Sequence, residues 1–223
     1  MGEGWVIGET LITGIGQGYT LTTPLQLCLM TAQLANGGHK IYPKIIVNEN
    51  DETYEEIKAI IEKNYEINKQ KDEGLIESNE GLFSFLKDTK HRALYKNSEN
   101  IKLIQQAMFA STNEVRGTSY SSRIENPKYQ FAGKTGTSQV KRITAQDREL
   151  DLKTFEIPYK DRDHALFVAF GPYKKPRYAL SIVIEHGGSG SSTAAPIAKK
   201  LFKLIVDRHE LREKVKNKKS LKI

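Results

Sequence analysis

Near the start of the chain lies a helix-like stretch whose side chains are almost all apolar. Any fold of this chain must bury those side chains. A hydroxyl residue followed by proline, Thr23-Pro24, is typical of a helix start, and Asn36-Gly37-Gly38 is typical of a helix end. Between these signals, apolar side chains point to nearly every side of the predicted helix. We therefore expect this helix to be buried on all sides by other elements.

The last third of the chain predicts strands. Two apolar runs, Ala165–Phe170 and Tyr178–Glu185, are joined by a loop with glycine and two prolines, which indicates a β-hairpin. An earlier segment, Tyr129–Val140, is typical of a third strand. Helical spacing of apolar residues at Glu99–Phe109 and from Ala194 to Ile205 places helices before and after these strands. Grouped strands flanked by helices favour an α+β fold with an antiparallel sheet.

Between these apolar parts the composition changes. From Glu49 to Asn100 the chain is rich in Lys, Glu, Asp and Asn, which indicates a polar insertion or peripheral subdomain. Ile41–Val47 is expected to form a short strand before it, and Tyr54–Lys63 a helix within it. We therefore interpret residues 1–207 as one domain interrupted at about 49–100.

The net charge of +7 comes mostly from the C-terminal end of the chain. Residues 208–222 contain seven Lys or Arg and two Glu, a net +5, so the other residues together have +2. No aromatic residue interleaves with these basic ones, which argues against nucleic-acid binding. We expect residues 208–223 to form a solvated basic tail, with contact to an anionic surface as the less favoured alternative.

Composition excludes several other classes. The single cysteine, Cys28, cannot form an internal disulfide, and the five histidines include no pair at metal-ligand spacing. We expect no metal and no cofactor. No apolar run is long enough for a membrane helix and no signal peptide is recognisable, so the chain as given is expected to be soluble.

Three glycine-rich stretches resemble nucleotide-binding loops, but their spacing is wrong. The pattern Gly14-x-Gly16-x-Gly18 has Tyr19 where the dinucleotide motif requires glycine, and the other two stretches, around Gly133 and at 187–192, lack parts of the phosphate-binding motif. A non-catalytic phosphate-binding or interaction module remains an alternative interpretation.

The segment Lys134-Thr135-Gly136-Thr137 has the residues that carboxylate recognition needs. On a strand, Thr135 and Thr137 lie on one face and Lys134 on the other. Two hydroxyls at this spacing can donate hydrogen bonds to a carboxylate, and the lysine adds positive potential. Gly136 leaves room for a second backbone to approach, and the backbone N–H of Thr137 can serve an oxyanion hole. An ordinary edge strand with a solvent-facing lysine is the plainer alternative.

In its context, Lys134-Thr135-Gly136 resembles the third signature of the penicillin-recognising serine enzymes, a group that contains penicillin-binding proteins and serine β-lactamases. The resemblance extends over Trp5–Asn48 and Ile101–Ile205 and is strongest to class B penicillin-binding proteins of the elongation-specific penicillin-binding protein 2 type. The segments that resemble this class are Gly16-Gln17-Gly18-Tyr19, Thr23-Pro24-Leu25-Gln26-Leu27, Ala35-Asn36-Gly37-Gly38, Arg162-Asp163-His164-Ala165-Leu166-Phe167-Val168, Glu185-His186-Gly187-Gly188 and Ser191-Ser192 with Ala194-Ala195-Pro196-Ile197-Ala198.

The resemblance implies the β-lactamase/transpeptidase-like fold and the cross-linking of peptidoglycan peptide stems, with acylation by β-lactam antibiotics. It implies that Lys134 and Thr137 are catalytic, and that Thr135, Gly136 and Thr137 bind the substrate or antibiotic. For the parent protein it implies the periplasmic side of the bacterial inner membrane and partners in the cell-wall elongation machinery.

The same resemblance places the nucleophilic serine of Ser-x-x-Lys, and then Ser-x-Asn, before the lysine-threonine-glycine strand and before the helix at Thr23. The sequence has two Ser-x-x-Lys matches, at Ser84 and Ser138, which is close to the roughly 1.5 expected by chance, and Lys87 lies in the most polar stretch. We therefore interpret the chain as the C-terminal part of a transpeptidase domain, inactive in isolation. A serine β-lactamase fragment is the alternative among enzymes.

A further expectation follows from this interpretation. If the apolar helix that begins at Pro24 lacks part of its cover, the chain should have an exposed apolar face, marginal stability or a tendency to self-associate.

Overall fold

A computed structural model describes residues 6–14, 21–43, 92–141 and 152–220, with Gly4, Gly16, Gly18 and Glu149; no side chain is described from residue 215 onward. The elements are helices α1 (Ile7–Gly14), α2 (Pro24–Ala35), α3 (Ser98–Asn113) and α4 (Ala195–Ser220), and strands β1 (Ala132–Ser138), β2 (His164–Gly171) and β3 (Tyr178–Ile184). A π-helical turn, Gly190–Ala194, leads into α4.

The three strands form one antiparallel sheet in the order β1-β2-β3. The register pairs Lys134 with Val168 and Thr137 with Ala165, and β2 pairs in turn with β3. The predicted α+β class and the predicted hairpin are confirmed. In the described part of the chain β1 pairs with β2 alone, so its other edge is open.

One face of the sheet packs against α4. Because side chains alternate along a strand, Ala165, Phe167 and Ala169 of β2 all point to this face, and they are fully buried there. Phe131 and Phe202 stack on this side with ring centroids 5.0 Å apart. This aromatic pair joins the start of β1 to α4.

The opposite face packs against α2 and α3. The intervening β2 residues Val168 and Phe170 contact this layer, together with Ala132 of β1 and Met108 of α3. The Gln105 side chain of α3 donates a hydrogen bond of 2.6 Å to the Leu34 carbonyl, which ties the two helices together. The sheet therefore lies between two helical layers.

Helix α2 begins where the sequence predicts and is less buried than expected. The Thr23 hydroxyl accepts from the Gln26 N–H, and the Gln26 side chain accepts from the Thr23 N–H, which makes a complete capping box. Only Thr31 within the helix is buried, while Leu25 is 61% and Met30 is 44% exposed. The expectation of burial on every side is wrong for this chain, and the expected exposed apolar face is confirmed.

Other boundaries differ from the expectations. Residues 41–43 are not in a strand, and the pairing described next to them is an isolated bridge between His39 and Ala93. Residues 44–91, with the rest of the expected strand and the helix expected at Tyr54–Lys63, lie outside the described residues. The helix expected at Glu99–Phe109 is longer at both ends, and no helix was expected where α1 lies.

Helix α4 continues through most of the region expected to be a tail. Its acidic residues contact the body of the protein: Asp207 accepts a hydrogen bond of 2.5 Å from the Tyr129 hydroxyl, and Glu213 accepts one of 2.9 Å from Arg177. Asp207 and Glu210, three positions apart on α4, both accept hydrogen bonds from the Lys128 ammonium group. Composition alone could not show that the acidic residues of this segment have partners in the body of the protein.

Acid is expected to weaken the docking of the second half of α4. The Tyr129 hydroxyl, with Lys128, lowers the pKa of Asp207, and Arg177 lowers the pKa of Glu213. A lowered folded-state pKa gives stability that is fully present above the unfolded-state value of about 4, and that is lost as the pH falls through the folded-state value. Both carboxyl groups are solvent-exposed, so the effect is small and sensitive to salt.

Amide hydrogen exchange along α4 between pH 7 and pH 3 measures this effect. The exchange rate, corrected for its intrinsic pH dependence, should rise at low pH for residues 207–214. The double variant Asp207→Asn, Glu213→Gln should show faster exchange already at pH 7 and little further change. Unchanged protection of wild-type α4 at pH 3 would contradict the prediction.

Among the described residues, no helix combines the length and the apolar character that crossing a bilayer requires.

Candidate functional site

Strand β1 places the predicted site residues at an open edge of the sheet. Its regular pairing with β2 makes side chains alternate, so Lys134 lies on the face with α2 and α3, and Thr135 and Thr137 lie on the other face. Lys134 and Thr137 are exposed, and Thr135 and Gly136 are half-buried. The strand is therefore reachable by a ligand and is not buried in the core.

A groove of about 640 Å³ opens beside Lys134. Most of its lining is apolar, and the charged residues in the lining are Lys134, Arg116 and Glu114. The residues that line it come from α2, α3, the loop after α3 and the sheet: Met30, Leu34, Ile104, Ala107, Met108, Ala110, Ser111, Glu114, Arg116, Gly117, Thr118, Lys134 and Val168. Among the predicted site residues, Lys134 lines this groove, whereas Thr135, Gly136 and Thr137 are not part of its lining.

The Lys134 ammonium group lies against its own strand. It donates a hydrogen bond of 2.8 Å to the backbone carbonyl of Thr135. This contact is exposed and uses one of the three N–H donors of an ammonium group. The remaining donors are available to an anion or a hydroxyl at the edge of the groove.

A chain of hydroxyl groups reaches Thr135 from the loop after α3. The Thr118 and Thr135 side-chain oxygens are 3.3 Å apart, and the Ser111 and Thr118 side-chain oxygens are 3.2 Å apart. Each hydroxyl can donate one hydrogen bond and accept others, so Thr118 can accept while Thr135 donates, or the reverse. The arrangement orients the Thr135 hydroxyl at the edge of the sheet.

The end of α3, from which the loop with Thr118 continues, is fixed to β1 and its flank. The Asn113 side chain donates to the Phe131 carbonyl at 2.9 Å, and the Thr112 hydroxyl donates to the Gly133 carbonyl at 3.4 Å. The Ser119 hydroxyl oxygen lies 3.3 Å from the same Thr112 oxygen, and the Ser119 hydroxyl donates to the Ser111 carbonyl at 3.0 Å. Because Thr112 and Ser119 are buried, these contacts satisfy polar groups that water cannot reach.

The π-helical turn that begins at Gly190 packs closely on the backbone of Gly136. A Cβ atom added at Gly190 would lie 2.6 Å from the Gly136 carbonyl oxygen and 2.4 Å from that of Leu166. The start of the π-helical turn therefore lies directly against the backbone of β1. No side chain can be present at Gly190 without displacing one of these backbones.

The structure does not form a nucleophile from Ser138 and Lys141. Ser138 is the last residue of β1, whereas residues three apart meet on one face only in a helix. The second match, Ser84 with Lys87, lies outside the described residues.

Sequence reasoning missed three contributors to the site: Ser111, Thr118 and Gly190. The sequence marks Gly187–Ser192 as a glycine-rich loop, but nothing in its spacing indicates that it packs on β1. The hydroxyl contact between Thr118 and Thr135 joins residues 17 positions apart, and no local sequence pattern predicts such a pair.

Among the residues that the structure describes, no three His, Cys, Asp or Glu side chains are grouped so that they could hold a metal ion.

Residues 1–203 match the family described as the penicillin binding protein transpeptidase domain. The chain belongs to this transpeptidase-domain family. The match includes the whole described sheet and the start of α4. It supports the transpeptidase interpretation over a β-lactamase fragment or a phosphate-binding module.

Curated relatives of the transpeptidase domain are similar over most of this chain. The chain is 31% identical over 206 residues to the peptidoglycan D,D-transpeptidase MrdA of Salmonella typhimurium, which covers 92% of this chain and 28% of that protein. It is 29% identical over 203 residues to MrdA of Haemophilus influenzae, which covers 89% and 26% respectively. The chain therefore spans little more than a quarter of the length of these relatives.

Solved structures give the same result. Penicillin-binding protein 2 of Helicobacter pylori in complex with MreC matches with a TM-score of 0.62 and 26% identity, over 92% of this chain and 28% of that chain. Penicillin-binding protein 2 of Pseudomonas aeruginosa in complex with WCK 5153 matches with a TM-score of 0.59 and 29% identity, over 91% and 34%. The predicted β-lactamase/transpeptidase-like fold and the resemblance to penicillin-binding protein 2 are confirmed.

Proposed function

We propose that this chain supplies the carboxylate-binding and oxyanion-binding half of the acyl-transfer site of a peptidoglycan D,D-transpeptidase of the penicillin-binding protein 2 type. The observation that supports this most is the placement of Lys134-Thr135-Gly136-Thr137 on an accessible sheet edge that no other described strand covers, with Lys134 lining a groove. An extended peptide can lie along such an edge and pair with its backbone.

Each residue of the strand has a distinct role in this proposal. The hydroxyls of Thr135 and Thr137 donate to the terminal carboxylate of the peptide stem or of a β-lactam, while Lys134 adds positive potential. The Thr137 N–H stabilises the oxyanion that forms during acyl transfer. Gly136 binds through its backbone alone.

The reacting serine has to come from polypeptide other than the described residues. A serine hydroxyl needs an adjacent base to attack a carbonyl, and the described residues hold no serine paired with a lysine in this way. In our proposal the serine-bearing segment packs on the apolar floor of the groove beside Lys134, where Met30 and Ile104 are 44% and 41% exposed. Isolated, the chain then cannot form an acyl-enzyme.

The wider biology of the parent protein is proposed on the same basis. We infer that its substrates are peptidoglycan peptide stems and its inhibitors β-lactams, on the periplasmic side of the inner membrane. The similarity to a Helicobacter pylori relative solved in complex with MreC supports a partner in the cell-wall elongation machinery. Residues 1–207 would be the C-terminal part of the transpeptidase domain, with an insertion at about 49–100, and 208–223 its basic end.

Binding of a peptide carboxylate to the isolated chain tests this function without requiring the serine. N-acetyl-D-alanyl-D-alanine is titrated into ¹⁵N-labelled chain, and the backbone amide resonances of Thr135, Gly136 and Thr137 are followed. We expect saturable shifts of these resonances. The same dipeptide with a C-terminal amide is the matched control, and it should leave them unchanged because it lacks the carboxylate.

Variants identify the groups responsible. Lys134→Met should weaken binding at least about tenfold, the effect expected for losing a charge-assisted hydrogen bond. Lys200→Met removes an exposed lysine of α4 and should leave the affinity unchanged. The proposed function is refuted if the acid and the amide shift the β1 resonances equally. It is also refuted if the dipeptide saturates another part of the chain and leaves the β1 resonances unshifted.

Thr118 should affect binding through Thr135. Replacing Thr118 by Val removes the hydroxyl 3.3 Å from that of Thr135, so the Thr135 hydroxyl loses its orientation. One exposed hydrogen bond corresponds to a loss of about two- to fivefold in dipeptide affinity. Thr118→Ser keeps the hydroxyl and should bind as the wild type does; if Val and Ser variants bind equally, Thr118 has no such role.

A further inference from the structure

Two histidines lie face to edge where β2 begins and where the loop after β3 returns to the sheet. The ring centroids of His164 and His186 are 4.9 Å apart. The backbone N–H of His186 donates to Nδ1 of His164 at 2.9 Å, and His186 Nδ1 lies 3.0 Å from the Arg162 carbonyl. Because an amide can only donate and a carbonyl can only accept, His164 Nδ1 is the acceptor in the first contact and His186 Nδ1 is the donor in the second.

His186 has an unusual backbone conformation. Its φ of 55° is in the left-handed region, which few residues other than glycine adopt. Such a conformation persists only where surrounding contacts hold it. Here the two hydrogen bonds to His164 and Arg162 hold both the backbone and the ring of His186.

Asp163 links the same loop to the end of β1. Its carboxylate accepts a hydrogen bond of 3.1 Å from the Val140 N–H, two residues beyond the last residue of β1. Its backbone carbonyl accepts one of 2.8 Å from the Gly188 N–H. A single residue therefore connects the exit of β1 with the loop that follows β3.

The loop that follows β3 also packs against the backbone of β1. It continues into Gly190, whose backbone lies against Gly136 so closely that no Cβ fits. Position 187 is tight as well, since a Cβ there would lie 3.1 Å from that of Ala165. Any movement of the loop therefore displaces the backbone of β1 or leaves a gap behind it.

We propose that Asp163 and His164 are positioning residues of the acyl-transfer site, which set the position of Thr137 at the end of β1. Asp163 holds the chain just after Thr137 through Val140, and His164 holds the loop that supports Gly136 just before it. Neither residue touches the ligand. This inference rests on the proposed function, because it assigns the residues by their effect on carboxylate binding at β1.

Two substitutions at His164 test the proposal, one that removes the hydrogen-bond acceptor and one that keeps it. Asn places its side-chain oxygen where His has Nδ1, so His164→Asn keeps an acceptor for the His186 N–H, whereas His164→Leu removes it. In the dipeptide titration, His164→Leu should bind about three- to tenfold more weakly, with the Thr137 and Val140 amide resonances shifted in the free protein. His164→Asn should bind within about twofold of the wild type.

A second pair keeps the test valid if His164→Leu does not fold. Asp163→Asn retains an acceptor for the Val140 N–H and should bind nearly normally, whereas Asp163→Ala should lose about three- to tenfold. Glu213→Gln, which disturbs α4 away from β1, is the control for a general loss of stability and should leave the affinity unchanged.

The outcomes separate the two claims. If wild-type chain does not bind the dipeptide at β1, the proposed function fails. The positioning role is overturned, while the proposed function stands, if the wild type binds and His164→Leu and Asp163→Ala bind equally well. It is likewise overturned if His164→Asn or Asp163→Asn binds as weakly as the Leu or Ala variant at the same position.

Discussion

A fluorescent penicillin is expected to leave the isolated chain without any covalent label. Acylation needs a serine whose proton is taken by a neighbouring base, and among the residues that the structure describes no serine is paired with a lysine in this way. Ser138 ends a strand, and the other Ser-x-x-Lys match, at Ser84, lies in the most polar stretch of the sequence. The difference from an intact transpeptidase should therefore be all-or-none. Denaturing electrophoresis with in-gel fluorescence, supported by intact mass, measures it.

The control for this labelling experiment is a purified full-length relative, which should be labelled under the same conditions. The Ser84→Ala variant of this chain should be indistinguishable from wild type. A stoichiometric label on wild-type chain that disappears in Ser84→Ala would show that the chain has its own nucleophile.

Replacement of Phe131 by Ala should unfold the chain at a much lower denaturant concentration or temperature. Phe131 has no exposed surface, stacks on Phe202 and meets Phe167 edge-on with centroids 6.2 Å apart. A buried Phe→Ala change costs about 3–5 kcal/mol of unfolding free energy. Because Phe131 directly precedes β1, the site is lost together with the packing of α4 on the sheet.

The matched control is Phe155, which is 72% exposed. Phe155→Ala should change the unfolding free energy by less than about 0.5 kcal/mol, as surface substitutions do. Urea unfolding followed by far-UV circular dichroism, at a concentration low enough to avoid association, gives both values. Similar losses for the two variants would contradict the packing described for Phe131.

The sequence was sufficient for those parts of the fold that depend on local patterns. The capping residues Thr23 and Pro24 predicted the start of α2, and the apolar runs either side of the 171–177 loop predicted β2 and β3. It was insufficient for those parts whose structure depends on contacts between residues far apart in the chain. The acidic residues Asp207 and Glu213 find partners far away in the chain, so α4 extends through a segment that composition marks as a solvated tail.

The same holds for the site, of which only the part formed by a local motif could be predicted. Lys134 and Thr137 belong to a contiguous motif, so their placement on one strand follows from the sequence. Thr118 and Gly190 reach β1 only through the folded chain and form no motif with it. The prediction that α2 is buried on every side was also wrong. Periodicity shows which surface of a helix is apolar, but it does not show whether other residues of this chain pack against that surface.

Reconstitution with a serine-bearing segment is the most direct measurement. The part of the Salmonella typhimurium relative that this chain does not match, in which the family resemblance leads us to expect Ser-x-x-Lys and Ser-x-Asn, is mixed with this chain. Co-elution is established by size exclusion, and the complex is treated with fluorescent penicillin. We predict a label on the added segment alone, lost when this chain has Lys134→Ala and kept when it has Lys200→Ala. A label on this chain, or labelling of the complex that is indifferent to Lys134, would contradict the account.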